Sequence, residues 1–394
     1  MLVFFAEGNL HLFNIVHVKE TYFKNQPANL YVAKSARISG TIINRIREMN
    51  IFVNIELIDS PTTKKILLFS EIPLLRFLPQ MFEIIIDNHN ILKNLKESSN
   101  NTPYSQIFIN KLDLTSTVLL NYFKKYNQNI MISLIEEGGG DMYQTRDRVF
   151  FLSMHWKVIF SAYQLITFQW FKRREDIEHV TETYFYMPSK YNSNTGLSTK
   201  VIPPITKAND CVASLLTAEL ANQNMDEYKK RDFIYFVDAL AGSVTGNYDN
   251  TRKHLDLILS AIPTNQLIIK DHPRSFISKK AKNVLGQYKT VAYIDHRNYL
   301  FESFLFMCKN IGEKVLITKD SACAIHPKYM FGEEPYVIFT YKLYSETDQT
   351  YSNKLANDLK STYIQKNKVF IPNNIDEFHS ILTKITLEMN VTNK

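Results

Sequence analysis

From residue 233 to residue 388 this chain alternates short apolar runs with helical patterns, and that alternation constrains its fold more than any other feature. The signals fall at 233–240, 255–261, 266–270, 291–294, 299–307, 315–318, 336–341, 355–363, 369–371 and 375–388. Strands and helices that take turns on this scale build right-handed βαβ units, and so a parallel sheet covered by helices on both faces. A Rossmann-like domain over 226–394 is the expectation.

The first half reads as a second domain of the same kind over 1–225. Apolar runs at 2–6, 29–32, 51–57, 106–110 and 129–135 have strand length. Between them, 114–126 carries Val118, Leu119, Tyr122 and Phe123 as one helical stripe. The stretch 191–210 is rich in Ser, Asn, Thr and Pro and reads as a loop ahead of the domain junction. A length of 394 residues suits two or three domains, and 45% hydrophobic residues are ample for their cores. The expected fold class is therefore α/β of GT-B type, two Rossmann-like domains facing each other across a cleft.

Composition bounds the partners. A net charge of +7 favours something anionic, namely phosphate-bearing substrates, nucleic acid or a lipid surface. The cations are scattered in singlets and small clusters such as Lys172-Arg173-Arg174, without a nucleic-acid motif, so no nucleic acid is expected. Peripheral contact with an anionic membrane and a homodimer are both compatible with the sequence. Three cysteines, Cys211, Cys308 and Cys323, have no paired spacing and read as ordinary buried thiols of a reducing compartment, giving no zinc signature. Residues 1–7 read as a first strand rather than a signal peptide, and the greasy stretch 72–86 is interrupted by Arg76, Gln80 and Glu83. A cytoplasmic protein, soluble or peripheral on the inner face of the plasma membrane, is expected.

Chemistry is expected where strands end. The run 129–135 ends in Glu136-Glu137-Gly138, and 266–270 ends in Lys270, followed by Asp271-His272-Pro273-Arg274. In open α/β sheets ligands sit beyond the carboxyl ends of the strands. Glu136 and Glu137 suit a hydrogen-bonded acid pair, with Gly138 leaving room for a sugar ring; an acidic turn is the alternative. A proline after His272 restricts the backbone and fixes the imidazole's direction, and Lys270 and Arg274 suit a phosphate leaving group. The dipeptide is nonetheless common, as His326-Pro327 illustrates. Gly246 and Asp249 lie in a loop that can turn backbone N–H groups toward phosphate, although no dinucleotide or P-loop spacing is present. Ser321 and Ala322 open a helix-like segment that can accept a phosphate oxygen or be a plain cap. Glu302, after Phe301, can meet ribose hydroxyls or be a solvated helix residue.

In this order, the acidic pair with glycine, the His-Pro and the serine-led helix resemble bacterial sialyltransferases of glycosyltransferase family 52, with their polysialyltransferase and family 80 relatives. Gly8-Asn9-Leu10-His11-Leu12 also resembles the opening of family 52 members. The resemblance implies a GT-B fold, a CMP-N-acetylneuraminate donor and a glycan acceptor. It implies that Glu137 deprotonates the acceptor hydroxyl, that Glu136 orients it, and that His272 stabilises or protonates the departing CMP phosphate. Ser321 would bind that phosphate, and Glu302 the nucleoside. Ser321 is followed by Ala322 where relatives often have a second hydroxyl residue, and Asp249 is a rival base. No D-x-D triplet occurs, which fits metal-free transfer without a cofactor. Transfer to a galactose-type acceptor of a lipooligosaccharide or capsule is the leading expectation. Another nucleotide sugar, or noncatalytic binding of an anionic glycan or nucleic acid, are the alternatives.

Overall fold

The computed structural model of the protein describes residues 1–36, 38–59, 89–96, 102–110, 114–136, 180–187, 197–206, 210–220, 226–237, 248–270, 291–294, 300–308, 310–343 and 349–392. It divides into two compact units. The first comprises Met1–Pro203 with Ala208–Leu215, and the second Pro204–Lys207 with Leu216–Lys394.

In the first unit, seven strands form one parallel sheet: β1 (Leu2–Ala6), β2 (Ala28–Ala33), β3 (Asn54–Ile58), β4 (Gln106–Ile109), β5 (Met131–Ile135), β6 (Val180–Phe185) and β7 (Ser198–Val201). Their order, β3-β2-β1-β4-β5-β6-β7, reverses direction between β1 and β4. The central strand β1 is apolar along its whole length, as a strand covered on both faces requires. All five residues of β1, Leu-Val-Phe-Phe-Ala, are buried. Helix α1 (Asn9–Tyr22) follows β1, α2 (Gly40–Glu48) follows β2, and α3 (Leu114–Lys124) follows β4. The stripe Val118, Leu119, Tyr122 and Phe123 of α3 enters the core with Val3, Phe5, Ile107 and Ile132.

The α1 helix is buried along most of its length, and its Asn14 and Lys19 side chains are tied by hydrogen bonds. The Lys19 ammonium donates to the carbonyls of Phe23 (2.9 Å) and Lys24 (3.1 Å), closing the helix's C-terminal end.

In the second unit the sheet is again parallel, with β8 (Phe233–Phe236), β9 (Leu267–Lys270), β10 (Ala292–Ile294), β11 (Val315–Thr318), β12 (Tyr336–Phe339) and β13 (Val369–Phe370) in the order β10-β9-β8-β11-β12-β13. Helix α4 (Asp210–Leu220) runs across the division of the chain, and α5 (Tyr248–Ala261), α6 (Phe301–Met307), α7 (His326–Phe331), α8 (Thr350–Thr362) and α9 (Ile375–Thr392) belong to the second unit. Leu255, Ile258 and Ile262 pack with Ile269, Ile317, Ile338 and Phe378. Helix α7 ends on Gly332 at φ 74°, a left-handed conformation that glycine adopts without a Cβ clash.

Three expectations need correction. The stretch 191–210 is not wholly loop, since β7 lies within it. Ser-Thr-Lys-Val has no apolar run, and this edge strand is held by backbone pairing to β6, which a reading of hydrophobic pattern misses. Strand β6, Val-Thr-Glu-Thr-Tyr-Phe, was likewise not anticipated. Of the cysteines only Cys308 is buried as a residue; Cys211 and Cys323 retain partial exposure. Among the described residues no helix is long and apolar enough to cross a membrane.

Candidate functional site

The second sheet changes winding direction between β8 and β11. From β8 the chain steps outward to β9 and β10, then returns to the other side of β8 as β11. In open α/β sheets, ligand-binding crevices form beyond the carboxyl ends of the strands at such a point. There the strands deliver polar residues directly out of an apolar core. Lys270 is the last residue of β9 and is 4% exposed; Lys319 follows Thr318 at the end of β11 and is 9% exposed.

The turn after β11 is held by its own hydroxyl groups. Thr318 Oγ1 accepts from the Ser321 N–H at 2.8 Å, and Ser321 Oγ accepts from the Cys323 N–H at 3.3 Å. Ser352 Oγ donates to Asp320 Oδ2 at 3.1 Å, tying the turn to α8. Ser321 thereby caps the single 3₁₀ turn Ala322–Ala324, which leads into α7 with Pro327 in its first turn.

Under this turn lies a buried polar cluster. Glu302, in the first turn of α6 and 2% exposed, holds Nδ1 of His326 with Oε1. Burial alone would raise the Glu302 carboxyl, but the charge and hydrogen bond of His326, helped by the Lys270 ammonium, hold it below the usual carboxylate range. The Cys323 thiol is enclosed although the residue keeps some exposure. Burial, reinforced by the Glu302 charge, pushes it up to about 12. Glu302 Oε, Cys323 Sγ and a His326 ring nitrogen lie within 4.8 Å of one another. On α5, His254 is lowered to about 4 by burial and then by the Lys319 charge. Glu219 of α4 accepts from the Leu300 N–H at 3.0 Å and from Ser303 Oγ, and burial raises its carboxyl.

In the first unit, Glu136 closes β5. Its carboxylate Oε2 accepts from the Tyr186 N–H at 3.0 Å, and its carbonyl accepts from Asn14 Nδ2 at 2.6 Å. The Tyr186 hydroxyl donates to Asn14 Oδ1 at 3.0 Å and lies 3.4 Å from His17 Nδ1. This network knits α1 to the ends of β5 and β6. Burial lowers His17 to about 4.

Of the residues singled out in the sequence, the fold brings Lys270, Glu302 and Ser321 to one cluster: the first acts on Glu302 and Cys323 by charge, and the third bonds Cys323. Ala322 lies in the same turn, and Phe301 faces inward, its ring 4.8 Å from Phe236 and 5.5 Å from Phe304. Glu136 is buried in the other unit. Glu137, Gly138, Gly246, His272, Pro273 and Arg274 lie outside the described residues, and of Asp249 only its place at the start of α5 is described. His326 and Cys323 are site residues that sequence reasoning passed over. Their one signal was a Cys-x-x-His spacing ahead of the second His-Pro. A cavity of about 360 Å³, lined by Lys229, Asp232, Lys314 and Lys368 among others, lies where β8, β11 and β12 begin, at the opposite end of the sheet.

No protein-family model matches the sequence, and no curated relative does. Solved structures do. The calicheamicin glycosyltransferase CalG4 is similar over 98% of this chain and 89% of its own, with 8% identity and a TM-score of 0.50. The UDP-GlcNAc 2-epimerase of Methanocaldococcus jannaschii, in complex with UDP-GlcNAc and UDP, is similar over 98% of this chain and 92% of its own, with 12% identity and a TM-score of 0.51. TcCGT1 in complex with UDP covers 97% of this chain and 90% of its own, with 11% identity and a TM-score of 0.51. The fold is GT-B: two α/β domains, each on a parallel sheet. Because an epimerase and a glycosyltransferase share it, the fold alone leaves the reaction open.

Proposed function

We propose that this chain is an inverting sialyltransferase that moves N-acetylneuraminate from CMP-N-acetylneuraminate to a galactose-type acceptor. The observation that carries the reading is the pair of buried cations, Lys270 and Lys319, at the carboxyl ends of β9 and β11 beside the winding reversal of the second sheet. Buried ammonium groups at that place suit a phosphate-bearing donor, because ionised partners hydrogen-bond more strongly and more so out of water. The choice of CMP among nucleotides rests on the sequence resemblance, in which His272 follows Lys270 directly after Asp271.

In this reading the second unit binds the donor and the first the acceptor. As the bond from the sialyl anomeric carbon to the phosphate oxygen breaks, positive charge grows on the sugar and negative charge on CMP. His272, Lys270, Lys319 and Arg274 offset the latter, with Ser321 and the backbone around Ala322 and Gly246 near the phosphate. Glu137 takes the proton of the attacking acceptor hydroxyl, with Asp249 as the rival base and Gly138 giving room for the sugar. Glu136, whose carboxylate is held by the Tyr186 amide, acts through its neighbour as a positioning residue. Glu302, buried and held by His326, enters as an anchor of the donor side and not as a ribose contact.

The second reading, a GT-B enzyme that uses a UDP-sugar, is favoured by the UDP bound in two of the similar structures. Thermal-shift titration separates the two. CMP should stabilise the protein more than UDP or GDP at equal concentration; at a hundredfold excess over its own Kd it should add about 2.7 kcal/mol relative to the unliganded protein. A preference for UDP rejects the sialyl assignment. Absence of CMP release from CMP-N-acetylneuraminate with every galactoside in a panel would reject transfer itself.

A further inference from the structure

We infer that Glu302, Cys323 and His326 form a binding site for a divalent metal ion of the zinc type. A carboxylate oxygen, a thiol sulfur and an imidazole nitrogen converge from two segments, α6 and the turn leading into α7, with their ligand atoms all within 4.8 Å of one another. Zinc takes oxygen, nitrogen and sulfur ligands at about 2.0–2.3 Å, so a tetrahedral set places them about 3–4 Å apart. The backbone aims two of the three. Cys323 lies in the 3₁₀ turn Ala322–Ala324 and His326, three residues on, opens α7 directly after it, a spacing that puts neighbours on one face of a helical turn. Glu302 is presented from the facing first turn of α6.

The donor set selects the ion. A thiolate disfavours magnesium and calcium, whereas carboxylate, imidazole and thiolate together suit zinc or cobalt. Charge agrees. One divalent cation with one carboxylate, one thiolate and a neutral imidazole sums to zero, which a buried place tolerates. The metal displaces the proton shared between Glu302 Oε1 and His326 Nδ1 and the proton of the Cys323 thiol. Two protons leave for solvent, three metal–ligand bonds form, and no electron changes hands. Among the described residues, the Lys270 ammonium acts on Glu302 and Cys323, and the Glu302 charge in turn raises the carboxyl of Glu219 on α4.

This site pins α6 to the turn after β11, and the inference does not rest on the proposed transfer, no step of which passes through it. The test uses the full chain, stripped with chelator and reloaded with cobalt(II) alone. One equivalent should bind, with a thiolate-to-cobalt charge-transfer band in the near ultraviolet, and zinc should displace it. Cys323→Ser should remove the band while Cys211→Ser keeps it, and Glu302→Gln should keep the band but weaken affinity at least about tenfold. Wild-type protein that binds no stoichiometric cobalt or zinc overturns the inference whether or not any variant folds. So does a band that survives Cys323→Ser.

Discussion

The carboxylate of Glu302 and Nδ1 of His326, 24 residues apart in sequence, meet in the interior of the second unit with both side chains almost wholly removed from water. Such a pair is self-consistent only when complete.

Removing the imidazole leaves a buried carboxylate with its main partner gone. His326→Ala should cost about 3–5 kcal/mol at neutral pH, measured by urea unfolding of the metal-free protein. The pH dependence has a definite sign. With His326 present the folded-state pKa of Glu302 is depressed, so its contribution is complete above the usual carboxylate range and lost as pH falls through the folded value. Without His326, burial dominates and raises the carboxyl, so the variant's deficit should grow with rising pH. A deficit independent of pH between 3 and 7 would contradict this account.

Asn14 bridges two buried groups. Asn14→Ala removes one hydrogen bond from the Glu136 carbonyl and one from the Tyr186 hydroxyl and should cost about 1–3 kcal/mol. Tyr186→Phe shares one of those bonds, so the double variant should be less destabilised than the sum of the singles, with a coupling of about 0.5–3 kcal/mol. Strict additivity in a denaturation cycle would mean the network is not formed.

Two histidines should remain neutral far into acid. His17 and His254 are each lowered to about 4, so between that value and the unfolded value near 6.5 the unfolded chain binds more protons than the folded one. Stability therefore rises with pH across that window, by up to about 1.4 kcal/mol per pH unit for each group. His254→Gln should flatten the slope by that amount, and the His254 ring resonance should not titrate above about pH 5. An NMR midpoint near 6.5 would show the ring to be solvated.

Catalysis gives the last prediction. Glu137→Ala and His272→Ala should each lower sialyl transfer by about a hundredfold or more, with folding intact by circular dichroism. If Glu137→Ala transfers normally and Asp249→Ala does not, the base belongs to Asp249.

Legibility followed the range of the interaction. Strand β1 and the runs 267–270 and 315–318 were plain because an interior parallel strand is apolar along most of its length, and three to five successive apolar residues declare it. The stripe of α3 declared itself by spacing in the same way. Strand β7 was hidden because its place depends on the backbone of β6 and not on its own side chains. In the cluster, Lys270, Glu302 and Ser321 could be singled out at strand ends and helix starts, whereas Cys323 and His326 looked ordinary.

The sequence by itself determined two parallel α/β halves and the places where their strands hand over to polar residues, since periodicity and burial are local properties of the chain. Only the tertiary structure decided that Glu302 meets His326 across 24 residues and that Glu136 meets Tyr186 across 50. Those meetings depend on which strand lies beside which and on how the helices pack over them. A one-dimensional pattern records what each segment must bury, but not whom it will touch.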